Sequence, residues 1–187
     1  MIQFIKLADM PSDIIEKYRN KVPEFMINFW KEYGIATGLN GYLKSVNPDS
    51  FKYFIENTFI LGEDCIPLFV TGFGDVITLT KFNGEYNVIY IVKYKDGYAQ
   101  AMLGANKFFF KFLSDSYFLS KYFELEFYRE AIWSLGELEY SECFTFVPLL
   151  ALGASKNVKY LEKGSIAEYL MLITELVGNV ENIKSSI

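Results

Sequence analysis

Four short β-rich runs, each closed by a tight-turn signal, constrain this chain most. Cys65 to Phe73, Val76 to Phe82, Tyr86 to Tyr94 and Tyr98 to Leu103 are separated by Gly72-Phe73-Gly74-Asp75, Asn83-Gly84 and Asp96-Gly97. Asn-Gly and Asp-Gly supply the positive φ that the shortest hairpin loops require, so consecutive runs are expected to pair antiparallel. The uninterrupted run Val88-Ile89-Tyr90-Ile91-Val92 belongs in the middle of such a sheet, covered on both faces. Leu39 to Val46 reads as a further, weak strand.

Helical periodicity flanks this meander. Pro11 to Arg19 begins with a proline and acids and ends in bases, which suits a short helix. Pro23 to Tyr33 repeats Phe25, Met26, Phe29, Trp30 and Tyr33 at helical spacing before Gly34 stops it, and this aromatic stripe is read as core rather than as a ligand cleft. Asn47-Pro48-Asp49 suits the cap of a helix that ends near Asn57, with Phe51, Phe54, Ile55 and Phe59 on one face. Beyond Gly104 helices dominate: Lys107 to Leu113 and Leu119 to Trp133, with Ser114-Asp115-Ser116 as the break or cap between them. Phe144 to Leu152 is apolar, interrupted by Pro148, and fits an edge strand or a buried loop–strand segment. Ser165-Ile166-Ala167-Glu168 caps a last helix that stops at Gly178, and the residues from Asn179 onward read as a frayed polar tail. The expected fold class is α+β: an antiparallel β-meander with flanking helices and a mainly helical C-terminal half. The composition shift near Gly104 divides the chain into 1–103 and 104–187, two units expected to share one core.

Of the 187 residues, 51% are apolar, with 18 Phe, 14 Tyr and 2 Trp. That supply of large side chains can fill an interior without disulfides or metals. A net charge of −5 and a pI near 4.9 argue against a nucleic-acid ligand, whose phosphates are held by Lys and Arg. Cys65 and Cys143 stand alone without a CxxC spacing, which points to reduced, buried thiols. The N-terminal residues lack the basic and apolar regions of a secretory signal, and the longest apolar run, Phe146 to Leu152, is far short of the ~20 residues of a membrane helix. The expectation is a cytoplasmic protein without a membrane partner; the oligomeric state is not legible.

With no histidine in the chain, Ser-His-Asp and Cys-His machinery and His-containing zinc sites are excluded. Gly72-Phe73-Gly74-Asp75 lacks the spacing of a phosphate loop and precedes a strand, so it is read as a hairpin turn. The carboxylate pairs Glu63-Asp64, Glu124/Glu126 and Glu137/Glu139 leave a carboxylate-dependent hydrolase as a minor alternative. No catalytic residue, metal ligand or cofactor is assigned. The chemistry that stands out is electrostatic. From Glu124 to Glu142 there are six carboxylates against one base, Arg129, a surplus equal to the net charge of the whole chain. Glu137, Glu139 and Glu142, with Tyr140 among them, form a short loop ahead of the apolar Phe144-Thr145-Phe146-Val147-Pro148. A held aromatic flanked by carboxylates suits a basic protein surface, so these four are the partner-binding candidates. The plainer alternative is that the acids are solvated and Tyr140 packs inward.

The stretch Tyr140-Ser141-Glu142-Cys143-Phe144-Thr145-Phe146-Val147-Pro148-Leu149-Leu150-Ala151-Leu152-Gly153 resembles a bacterial family associated with immunity to type VI secretion DNase effectors. Tyr160-Leu161-Glu162-Lys163 and Ala167-Glu168-Tyr169-Leu170 extend the likeness. Thr145, Leu149 and Ala154 depart from the glycine, alanine and second glycine of its pattern. Pro23-Glu24-Phe25, Trp30-Lys31-Glu32-Tyr33-Gly34, Val46-Asn47-Pro48-Asp49 and Thr71-Gly72-Phe73-Gly74-Asp75 resemble the GAD-like domain that usually precedes it. The resemblance implies an immunity protein that binds and neutralises a cognate toxin, a nuclease effector, and performs no catalysis; because a nuclease must hold a polyanion, its cleft is expected to be basic. The alternative of the same physical kind is a regulatory interaction module without a toxin.

Overall fold

The computed structural model describes residues 2–102 and 104–185. Among these residues an eight-stranded sheet runs in the order β1-β2-β3-β4-β5-β6-β7-β10, and β8 and β9 form a separate hairpin. The strands are β1 Phe4–Ala8, β2 Ile35–Gly38, β3 Leu43–Ser45, β4 Cys65–Thr71, β5 Val76–Phe82, β6 Glu85–Lys93, β7 Tyr98–Met102, β8 Glu142–Phe146, β9 Leu161–Ser165 and β10 Ile183–Ser185. The helices are α1 Ser12–Tyr18, α2 Glu24–Glu32, α3 Pro48–Thr58, α4 Ala105–Phe110, α5 Ser116–Phe123, α6 Leu125–Leu135 and α7 Ile166–Val177. The fold is α+β with a mostly antiparallel sheet, as expected.

β4 to β7 are the four runs of the meander, paired antiparallel in sequence order. Leu103, the expected end of the fourth run, lies outside the described residues. In the first turn the Thr71 hydroxyl accepts from the backbone N–H groups of Phe73 and Asp75 at 3.2 and 3.1 Å. Val88, Ile89, Ile91 and Val92 are buried, so β6 is covered on both sides. One cluster holds Met26, Trp30, Phe69, Ile77 and Ile89 together with Phe108, Phe123, Tyr128, Phe144 and Phe146. The other holds Ile55, Val70, Val76 and Val92 together with Cys143, Tyr169, Leu170 and Ile173. Each therefore draws side chains from both sides of Gly104.

The junction explains two glycines. A Cβ on Gly72 would lie 2.4 Å from the Tyr128 ring, and one on Gly74, at φ +74°, would lie 2.6 Å from the Tyr169 ring. The β4–β5 turn is thus pressed against α6 and α7, and only glycine permits that approach. Phe73 at its tip stacks on Phe127, with centroids 5.6 Å apart and planes 24° apart, and Phe127 stacks on Phe146 at 6.0 Å and 8°.

Several sequence expectations need correction. Of the weak strand expected over 39–46, only Leu43–Ser45 is strand, and it pairs with β2 in a hairpin. Leu39 and Asn40 take positive φ, which ends β2 and returns the chain as β3. The stripe on α2 is split: Met26 and Trp30 are core, whereas Phe25, Phe29 and Tyr33 are half-buried and line a cleft of 330 Å³ with Phe4, Phe69 and Phe109. The helix expected over Leu119 to Trp133 breaks at Glu124, whose φ is +55°. Of the two alternatives for Phe144 to Leu152, the first part is strand, paired with β9, and a cis Val147–Pro148 bond then opens a loop. The tail is ordered over 179–185, and residues 186 and 187 lie outside the described residues. The Val180 N–H donates to the Thr58 carbonyl at 2.8 Å and its carbonyl accepts from Ile60, after which β10 lies parallel to β7. Capping by Asn47, Asp115 and Ser165 is as read, each side chain accepting a first-turn backbone N–H.

Candidate functional site

α6 ends at Gly136, where φ is +82°, and the chain bends through 137–141 into β8. The bend is held mainly by its backbone. Glu139 and Glu142 close a turn, the Glu142 N–H donating to the Glu139 carbonyl at 3.1 Å and the Glu139 N–H to the Glu142 carboxylate at 2.9 Å. From beneath, buried Lys44 of β3 donates its ammonium to the Glu139 carbonyl at 2.8 Å and also to the Glu142 carbonyl. The Tyr140 hydroxyl donates to the Ser45 carbonyl at 2.8 Å, and the Ile166 N–H donates to the Ser141 carbonyl at 2.9 Å. Lys163 of β9 donates to the Glu137 carbonyl. Burial lowers the Lys44 ammonium to about 8 despite Cys143, Glu142 and Glu139, so it remains largely charged at neutral pH. Burial pushes Tyr140 up to about 12, which keeps it a neutral donor.

The four candidate residues therefore differ in what they present. Glu137 and Glu139 are exposed, while Glu142 and Tyr140 are half-buried and use their polar atoms to hold the bend, Glu142 within it and Tyr140 against β3. The acidic field is also smaller than the sequence count. Glu124 belongs to an interior ion cluster, its carboxylate 3.1 Å from the Lys95 ammonium and paired also with Lys156. Lys95 further pairs with Asp96 at 2.8 Å and Asp75 at 3.5 Å, and Lys93 stands 3.9 Å from each of those two acids. Burial would raise Glu124, but Lys95, Lys93 and Lys156 overcome it and hold the carboxyl at about 2. Burial prevails at Asp75, which is raised in spite of Lys95 and Lys93. Sequence reasoning missed Asp75, Lys93 and Lys95. The one signal was a Lys-x-Lys directly after a doubly buried strand. It also passed over Trp133, which is 91% exposed on the outer face of α6, three residues after exposed Glu130.

Glu124 and Glu126 have separate partners: Glu126 is exposed and paired with Arg129, whereas Glu124 belongs to the interior cluster. Among the described residues no group of His, Cys, Asp and Glu is arranged to hold a metal ion. Burial pushes the Cys143 thiol up to about 12 and raises Cys65 as well, so neither is a ready nucleophile.

Comparison with known families matches residues 2–93 to the GAD-like domain and residues 105–177 to the family described as T6SS immunity protein Tdi1, C-terminal. The chain joins a GAD-like domain to a type VI secretion immunity domain. A comparison with curated proteins found no match. Among solved structures, the crystal structure of Atu4351 from Agrobacterium tumefaciens is similar, with a TM-score of 0.71 and 13% identity over 90% of this chain and 82% of that one. At that identity the likeness speaks for the fold alone. The acidic bend lies in the immunity domain, and the lysine beneath it comes from the GAD-like domain. The interior ion cluster joins the two domains as well, with Asp75 and Lys93 on one side and Glu124 and Lys156 on the other.

Proposed function

We propose that this immunity protein neutralises a nuclease effector by stoichiometric binding in the cytoplasm, using the acidic bend to cover a basic cleft. The match of residues 105–177 to an immunity-protein family carries the reading. Physical chemistry adds the nature of the target. A nuclease must hold a polyanion, so its substrate path is basic, and an exposed pair of carboxylates on a pinned bend complements it and steers the encounter. Glu137 and Glu139 make the contact, and Tyr140 and Glu142 hold them in place. Inhibition by occupancy requires no reactive group of the inhibitor. Two buried thiols without a disulfide suit a reducing compartment, and no helix among the described residues is long and apolar enough to cross a membrane.

Co-expression with the polypeptide encoded by the adjacent gene tests the reading. Growth arrest by that polypeptide, relieved by this chain, is expected, and arrest that persists overturns it. Glu137→Lys with Glu139→Lys should weaken binding ~10-fold or more at low salt while leaving the melting temperature unchanged, because both side chains are solvated. Unaltered affinity removes the bend from the interface.

A further inference from the structure

α7 carries more apolar surface than its packing uses. Ile166, Tyr169, Leu170 and Ile173 face the core, yet Met171, Leu172 and Leu176 on the outer side are 54%, 51% and 52% exposed. Large apolar side chains exposed together on the outer face of a helix mark a surface that a partner covers. Those three side chains form one wall of a groove of 660 Å³, and the loop after β8 supplies the other through Val147 and Leu152. Val147 and Leu152 are themselves 49% and 60% exposed.

We propose that this groove receives an amphipathic helix of the effector whose apolar stripe is flanked by Lys and Arg. The proposal rests on the toxin-binding reading above and names the part of the surface that carries the affinity. Charge selects the occupant. Glu162, Glu168 and Glu175 stand around the groove. Glu168 and Glu175 are seven residues apart on α7 and so share one line of its outer face, with Met171 on one side of that line and Leu172 and Leu176 on the other. The single lysine of the lining, Lys163, is turned to the Glu137 carbonyl. Apolar side chains interleaved with carboxylates match a partner whose leucine-like residues are flanked by bases, the geometry of a helix laid in a groove. A second copy of this chain is disfavoured, because it would bring the same three glutamates and a net charge of −5. At ~1.5 Å per residue the twelve residues of α7 span about 18 Å, enough to seat three turns of a helix. The groove is also continuous with the acidic bend: Lys163 links it to Glu137, and Ser165 lines both the groove and the small cleft under Tyr140 and Ser141.

The test compares the full chain with Leu172→Ser/Leu176→Ser and with Glu168→Lys/Glu175→Lys, each checked by circular dichroism for an unchanged melt. Calorimetric titration with the purified polypeptide of the adjacent gene should show affinity at least ~10-fold weaker for both variants. Wild-type affinity in both overturns the proposal. A second titration uses a synthetic sixteen-residue amphipathic Leu/Lys helix and its Leu/Glu twin. The Leu/Lys peptide should bind the wild type, bind each variant at least ~10-fold less, and outcompete its twin. If the adjacent polypeptide fails to bind even the wild type, the toxin reading fails, and this peptide titration alone decides the groove: no binding overturns it. Light scattering adds one more outcome. A wild-type dimer that the leucine variant dissociates assigns the groove to a second copy and overturns the proposal.

Discussion

At Phe146 the ring lies nearly parallel to Phe127 and is buried. Phe146→Ala is expected to cost ~3–5 kcal/mol, through lost transfer energy and the cavity left behind, measured by denaturant unfolding; a negligible loss would contradict the stacked arrangement. Glu124 makes a pH prediction. Its folded pKa of about 2 lies below its usual 4.5. It therefore stabilises the fold above the unfolded value and loses that contribution as pH falls from about 4.5 to 2. Because the carboxylate is partly exposed, screening reduces the effect to ~2 kcal/mol at neutral pH. Wild type should lose stability to Glu124→Gln across that window, and parallel melting curves from pH 5 to 2 would refute the pairing. Single residues were also where the sequence was least legible. Asp75, Lys95 and Glu124 look like ordinary solvated charges, since nothing local tells a lysine that three carboxylates surround from one that water surrounds. Tyr140 reads from sequence as either a presented aromatic or one packed inward, and nothing local points to the Ser45 carbonyl, 95 positions away, that its hydroxyl reaches.

Elements were read best where turn and cap chemistry is local. Asn83-Gly84 and Asp96-Gly97 placed β5, β6 and β7, and Asp115 marked the start of α5, its carboxylate accepting from Tyr117 and Phe118 N–H at 2.9 and 3.1 Å. Asp115→Ala should cost about 1 kcal/mol in equilibrium unfolding. Where an element depends on a distant partner, sequence offered little. β1 and β2 pair with each other across α1 and α2, and β9 needs β8. β10 is three exposed residues whose register comes wholly from β7. Ending the chain at Gly178 removes β10 and buried Val180, and should lower stability by about 2 kcal/mol from the valine alone. Unchanged stability would mean that the tail contributes nothing to the fold.

Across the whole molecule, the family resemblance and the meander together conveyed the architecture and two halves sharing a core, whereas the particular contacts that join those halves did not follow from either. The glycines at 72 and 74, the Phe73–Phe127–Phe146 stack and the ion cluster all cross between the halves. Residues 1–103 expressed alone should accordingly give poorly dispersed amide resonances and bind a hydrophobic dye; a well-dispersed spectrum would show an independent domain. The acidic bend depends on the same junction. Lys44 grips backbone carbonyls at 139 and 142, so the path of the bend takes no instruction from the side chains at 137 and 139. Substitutions there that keep the N–H of residue 139 should leave the bend unrefolded, so on the binding reading proposed above the lettering shown to a partner can change while the spine that displays it stays the same.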